Sequence, residues 1–489
     1  MIPLLIAIPL GTAFLISLIG GKRDLVAAVL SLCSTAVVLI MSIVLFAGLH
    51  GHTLVYSVGK WPAPFGIVLV IDAFSALMLI LIYTLALTSL LYAVPYLESL
   101  GRDWKFYALF MLMLSGMTGV IITGDLFNLY VFMEIGLLAA FALVAFGGAA
   151  EEYEAAFKYA VMGSVSSSFI LIGIAVLYSA SSTLTMAKIA ETLPSLDPKL
   201  VGWVSALFLA GFGLKAAAIP FHAWLPDAHS SAPALISSML SGVLIKALGV
   251  YVLIRLFFNV FGAPQMILSV VLVLGLISII GGVLLAIAQW DMKRLLAYHS
   301  ISQIGYVLIG IGLGTPLGLL GAVYHLLNHA LFKGLLFYNA GAVEIALGTR
   351  NLKRMGNLTK LLPTTSNTSM VASLSIAGIP PFNGFFSKLI LIIAAVQAGQ
   401  PITAVLAVIG SLLTLASFMK VQRYGFRGER VIEKAEPIGW SMNAAMVILA
   451  VLCLATSLLV VPGIREVVLS PAVQAVMAKT GYVHLVLGR

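Results

Sequence analysis

Four lysines (Lys215, Lys246, Lys333 and Lys388) and one acid, Glu134, fall inside long apolar blocks of this 489-residue sequence. If those blocks cross a bilayer, each charge costs roughly 2.5–3.5 kcal/mol even on the most lenient insertion scale. Such charges persist where they face a wet interior and pass ions. His325 and His329 precede Lys333 at four-residue steps, which sets all three on one face of a helix. Imidazole titrates near neutrality, so the stripe suits a proton relay. The same spacing can bind zinc. Here, though, Leu326, Leu327 and Asn328 supply no catalytic acid and no third ligand is evident, so no metal is expected. Histidines bonded to backbone are the plainer alternative for either ring.

The other charges carry their own arguments. Glu134 closes the run Asp125-Leu-Phe-Asn-Leu-Tyr-Val-Phe-Met-Glu134 and is the one acid placed clearly inside an apolar block; the plainer reading is a carboxylate solvated near a helix end. Lys215 lies about one turn before Pro220. Proline breaks a helix, and the freed carbonyls could solvate an ammonium. A desolvated ammonium also gives up its proton more readily than one in water. The competing reading is snorkelling to the interface. Lys246 follows Ser238 and Gly242 at four-residue steps, a small polar face that either holds water or packs tightly. Lys388 follows a second proline break. His222, Asp227 and His229 lie in the first break, as gates or as plain loop residues.

The elements that must position these groups follow from hydropathy. About fourteen apolar blocks, from 2–20 to 440–461, have the length of a spanning helix. Two are interrupted: Gly213–Pro233 around Ile219-Pro220-Phe221, and Ala377–Lys388 around Ile379-Pro380-Pro381-Phe382. As the seventh and twelfth spans they sit five helices apart, and two units of an odd helix number have opposite topology. Paired broken helices in inverted repeats commonly mark an ion site near the midplane. The expected architecture is an all-α membrane protein with two inverted five-helix repeats, each with a broken helix. Its divisions are a three-helix segment over 1–104, a first repeat over 105–262, a second over 263–421, and a C-terminal helix and tail over 422–489.

Composition closes off other classes. Charged residues make up 9% of the chain and apolar ones 61%, whereas a soluble domain carries about 25% charged residues. The formal charge of +9 belongs to loops, not to a nucleic-acid surface, and no phosphate loop, dinucleotide fingerprint or Cys/His cluster occurs. No cofactor, no catalytic residue and no enzymatic activity of its own are therefore expected. Met1–Gly20 lacks the basic start of a signal peptide and reads as a first span. Cys33 and Cys453 read as hidden small hydrophobes. Lys22, Arg23, Arg102, Lys105, Lys158, Lys293, Arg294, Arg350, Lys353, Arg354, Lys360, Lys420, Arg423, Arg427, Arg430 and Lys434 fall on one side of the expected topology. Only Lys60, Lys188, Lys199, Arg255, Arg465, Lys479 and Arg489 fall on the other. The basic side should be cytoplasmic, with both termini opposite.

The segments Asp125–Glu134, Lys215–Pro233, His325–Lys333 and Pro380–Lys388, in this order, resemble the antiporter-like subunit family. Its members occur in respiratory complex I, Mrp sodium/proton antiporters and membrane-bound hydrogenases. Lysine at 246 and at 388 is most similar to the D-type component of Mrp antiporters and its counterparts in archaeal hydrogenase or sulfane sulfur reductase complexes. The resemblance implies a proton path through Glu134, Lys215, Lys246 and Lys388, coupled to Na+/H+ exchange or to redox chemistry elsewhere. It implies a multi-pass subunit of a prokaryotic cell membrane, surrounded by lipid. Its partners would be other antiporter-like and small membrane subunits and peripheral redox subunits, its cargo H+ with Na+ a candidate. The rival readings are a secondary transporter of a small solute and a non-conducting scaffold for a redox complex.

Overall fold

The computed structural model describes residues 1–20, 24–101, 103–429, 432 and 434–488. Lys22, Arg23, Arg102, Arg430 and Arg489, used above for orientation, lie outside the described residues. The chain is built from apolar helices. Eleven of them, among the described residues, are long and apolar enough to cross a membrane: α2 (Asp24–Leu49), α3 (Ala73–Tyr96), α4 (Trp104–Ile122), α5 (Leu126–Val144), α6 (Ala150–Ser181), α10 (Ala234–Val260), α11 (Gln265–Ile287), α12 (Met292–Gly312), α13 (Pro316–Leu347), α16 (Pro401–Phe426) and α17 (Trp440–Val460).

The other three expected blocks are also helical but short. α1 spans Leu4–Ile19. α8 (Pro198–Lys215) stops at Lys215, five residues before Pro220, and the chain resumes as the short α9 (Trp224–Ser231), with α7 (Met186–Thr192) lying earlier. The last block is split into α14 (Pro363–Ala377) and α15 (Asn383–Gln397). Both interruptions thus fall at the expected prolines. Small hairpin strands β1 (Leu54–Ser57) and β2 (Val68–Ile71) pair antiparallel, Leu54 opposite Ile71, before α3.

Much of the acidic content sits at helix starts. Asp72, Asp103, Asp125, Asp197 and Asp291 are N-caps whose side chains accept from the first-turn backbone of α3, α4, α5, α8 and α12. Such caps satisfy donors that the helix itself cannot pair. They also explain why few carboxylates are left for the interior.

Burial separates an inner set of helices from a lipid-facing ring. The most apolar stretch of α10 is 100% buried, that of α12 94% and that of α13 83%, against 28% for α17 and 39% for α16. Lys246, His325, His329 and Lys333 all ride on the inner set. α10 is not a regular helix: Leu240–Leu244, Lys246–Tyr251 and Arg255–Val260 adopt wider π turns, a distortion that often accompanies functional side chains. Gly249 lets this helix press on the first break, because a Cβ there would lie 2.7 Å from the Ala216 amide nitrogen.

Several sequence expectations change. Arg255, taken as a loop residue, is buried in α10. Its guanidinium pairs with Asp72, bonds Tyr251 Oη at 2.9 Å and Asn259 Oδ1 at 3.1 Å, and covers the Phe74 ring. Lys293, also counted with the loops, is 2% exposed and lies 3.2 Å from Glu344. Glu134 is therefore not alone, since Glu344 lies within α13 and Asp72 is buried. A carboxylate held by a buried cation is invisible when each residue is judged singly. Cys453 is buried, but Cys33 points outward from α2, because an apolar span can face lipid as well as protein.

Candidate ion-relay site

Glu134 is half-buried on α5, just over two turns from its Asp125 cap. Its Oε1 accepts from the Ser167 hydroxyl of α6 in a short hydrogen bond. Ser167 Oγ in turn accepts from Lys215 Nζ at 3.0 Å, and Lys215 also donates to the Gly163 carbonyl at 3.1 Å. Acid and lysine are thus joined through a hydroxyl that can give one proton while receiving another. The expectation that carbonyls freed by the first break would hold Lys215 is not met. Leu214 O is taken by Trp224 Nε1 at 3.1 Å, and the ammonium turns to α6 instead. Beside Lys215 lies a cavity of about 10 Å³, lined also by Tyr159, Trp224 and Ile245.

A line of aromatic and polar side chains leads onward from Trp224. Its ring lies 6.4 Å from that of His229, which lies 5.9 Å from Phe337, over which Lys333 Nζ sits at 5.7 Å. Lys333 donates to the Leu296 carbonyl, which also accepts from Ser300 Oγ at 3.2 Å; Ser300 meets Ser241 of α10 at 2.7 Å. Among the described residues, Lys246 Nζ and both ring nitrogens of His229 and His329 are buried without a protein hydrogen-bond partner. Groups of this kind are costly unless water or a transient ion completes them. The small face before Lys246 resolves in favour of packing at Gly242, whose missing Cβ is the space filled by Leu85.

The His325–Lys333 stripe is observed on the face expected, with His325 and His329 ring centroids 6.3 Å apart. His325 Nδ1 reaches Ser387 Oγ at 3.0 Å, so the stripe meets the second broken helix. There Lys388 donates to the Ile376 carbonyl at 2.7 Å and to Ser411 Oγ at 3.2 Å. In this break the freed carbonyl does hold the lysine. The Tyr306 ring lies 5.4 Å from the His325 ring and 4.7 Å from Lys388 Nζ, bridging the two. A cavity of about 150 Å³, lined by Gly378, Phe385 and Leu412, runs beside Lys388.

The three residues of the first break are scattered. His229 is fully buried in the line just described, His222 is half-buried, and Asp227 sits at a charged rim. Asp227 pairs with Lys158 at 2.9 Å and with Arg294 at 3.0 Å, beside a cavity of about 280 Å³ that Glu151, Asp291 and Arg350 also line. Sequence reasoning missed Ser167, Tyr306 and His299, whose Nε2 meets Ser417 Oγ at 2.8 Å. His299 and Gln303 were open to the intramembrane-polar argument applied to the lysines. Ser167 gave no signal within its serine-rich stretch.

The model for NADH:quinone oxidoreductase/Mrp antiporter transmembrane domains matches residues 123–414, which contain Glu134, Ser167, the four buried lysines and the His325–Lys333 stripe. The chain belongs to that family. As a member of the NADH:quinone oxidoreductase/Mrp antiporter family, it is 36% identical to the D-type component of the Na+/H+ antiporter of Alkalihalophilus pseudofirmus over 432 residues, 88% of this chain and 87% of that one. It is 40% identical to the N-type component of the NADH-quinone oxidoreductase of Desulforudis audaxviator over 405 residues, 81% and 79% of the two chains. Among solved structures, a chain of the Mrp complex from a Dietzia species superposes with a TM-score of 0.93 at 30% identity, covering 100% of this chain and 99% of that one. A chain of the membrane-bound sulfane sulfur reductase, an archaeal respiratory complex, gives 0.91 at 31%, covering 99% of each. This family member is thus an integral membrane, antiporter-like subunit, similar to parts of larger assemblies.

Proposed function

We propose that the chain translocates protons within a multisubunit membrane complex, along Glu134, Ser167, Lys215, Lys246, the His325–Lys333 stripe and Lys388. The observation that carries this reading is the linkage of Glu134 to Lys215 through Ser167. An acid and a lysine joined by a donor–acceptor hydroxyl can exchange a proton without a large movement. The pair acts as a switch. When Glu134 carries its charge, the ammonium is held; when the carboxylate is neutralised or withdrawn, desolvation favours release of the lysine proton. The proton then passes towards Lys246 and the stripe, through water satisfying the unpartnered His229 and His329, to Lys388, which exchanges with one side. His222, Asp227 and His229 gate the first break in this scheme.

Fourteen spans arranged as inverted repeats, 105–262 and 263–421, complete the proposal, with 1–104 and 422–489 outside them. Both breaks retain a lysine, as such repeats would, although Lys215 ends the helix before its break and Lys388 lies in the second turn of the helix after. The termini lie on the non-cytoplasmic side of a prokaryotic cell membrane. Coupling is to Na+/H+ exchange or to redox chemistry in partner subunits, on analogy with the relatives' names.

Size argues against a small solute bound at either broken helix. The space beside Lys215 is about 10 Å³, near the volume a single water needs, and that beside Lys388 about 150 Å³, whereas organic ligands occupy pockets of about 300–1,000 Å³. The test is proton flux in vesicles containing the native assembly, with and without Glu134→Ala. Loss of flux with intact assembly supports the relay; unchanged flux returns the chain to the scaffold reading.

A further inference from the structure

Next to the Lys388 cavity, with which it shares Leu415, a groove of about 310 Å³ separates α14 from α16. Met370, Leu374, Leu415 and Met419 form its apolar length, and Arg423 and Arg427 close one end. It opens outward, since Met419 is 63% exposed on a helix that also exposes Leu412. Both arginines are exposed, and among the described residues neither has a carboxylate within ion-pair distance. The floor holds a further polar group. Gln422 is buried, its Nε2 donates to Ser369 Oγ and Ser373 Oγ at 3.0 Å each, and its Oε1 has no hydrogen-bond partner among the described residues. An occupant must therefore be apolar along its length, anionic at the end beside the arginines, and able to donate a hydrogen bond near that anion.

We propose that this groove binds an anionic glycerophospholipid of the phosphatidylglycerol type from the surrounding bilayer. Its phosphate sits between Arg423 and Arg427, its acyl chain lies along Met370, Leu374 and Leu415, and a head-group hydroxyl donates to Gln422 Oε1. Guanidinium groups favour phosphate through paired, planar hydrogen bonds, and basic pockets between spanning helices recur as lipid head-group sites. Phe418, whose ring packs 4.8 Å from that of His299, separates the lipid from the interior.

The test is native mass spectrometry of the intact assembly, supplied with phosphatidylglycerol or with phosphatidylcholine of identical chains. Preferential retention of phosphatidylglycerol is expected. Arg423→Gln with Arg427→Gln should weaken it roughly twenty-fivefold, at about fivefold per charge removed. Met370→Trp should weaken it with both charges in place, and Arg465→Gln should leave it unchanged. Equal retention of the two lipids overturns the proposal, as does undiminished retention by the double variant. Displacement by millimolar inorganic phosphate would mean an anion site without a lipid. Retention by the isolated chain but not by the assembly would mean that a partner helix fills the groove.

Discussion

Replacing Ser167 with alanine removes one hydroxyl and, with it, the connection between Glu134 and Lys215. In the structure the hydroxyl donates to the carboxylate and accepts from the ammonium at 3.0 Å, and no direct pairing of acid and lysine bypasses it among the described residues. A hydrogen bond to a charged group is worth roughly 1.5–3 kcal/mol. If one such bond is lost where the proton moves, at about 1.4 kcal/mol per tenfold in rate, transport should fall roughly ten- to a hundredfold. Ser167→Thr keeps the oxygen and should stay close to the unmodified rate. The assay is ΔpH-driven proton flux in vesicles carrying the assembled complex, with subunit content checked on the same preparation. A Ser167→Ala complex that assembles normally and pumps at the unmodified rate would refute the hydroxyl bridge. Equal losses in the alanine and threonine variants would point to packing rather than to the proton path.

Glu134→Ala should abolish flux while Glu134→Asp is intermediate, because the charge survives but reaches less far towards Ser167; the same vesicle assay ranks the two. Asp72→Ala leaves the Arg255 guanidinium buried without its carboxylate, which costs roughly 3–5 kcal/mol when one partner of a buried pair is removed. A lowered thermal midpoint and poor assembly should follow, measured by size-exclusion after heating. Tyr306→Phe removes the hydroxyl that donates to Ala407 O at 2.6 Å but keeps the ring between His325 and Lys388, so flux should fall only modestly; complete loss would assign the hydroxyl to the path. Cysteines placed at Arg354 and Arg427 should label from the cytoplasm and one at Lys479 only from outside, so labelling of all three from one side would show a miscounted span.

Much of this was legible because the membrane makes polarity conspicuous. A lysine in an apolar block has few explanations, and a proline there has one structural effect, so Lys215, Lys388 and both breaks could be read in one dimension. What could not be read were relations between distant segments. Ser167 matters only because α6 brings it between α5 and α8, and Arg255 is paired only because Asp72, 183 residues away, caps α3 beneath it. Lys293 looked like a loop residue until Glu344 closed over it. The four-residue spacing before Lys246 left water and packing both open, and only the tertiary contact of Leu85 with Gly242, on a helix with π turns, favours packing. Hydropathy marks which groups are buried, whereas partnership is set by tertiary packing.

The relay requires lysines that lose and regain a proton, and arginine cannot do so, its pKa staying above ~12 in proteins. The most direct measurement is therefore proton flux through the assembled complex carrying Lys215→Arg or Lys388→Arg, beside an exposed control such as Lys199→Arg. Blocked flux in both variants, with assembly intact and the control unaffected, is the expected result. Full flux in both would mean that these charges only hold their neighbours in place, and would contradict a titrating lysine relay.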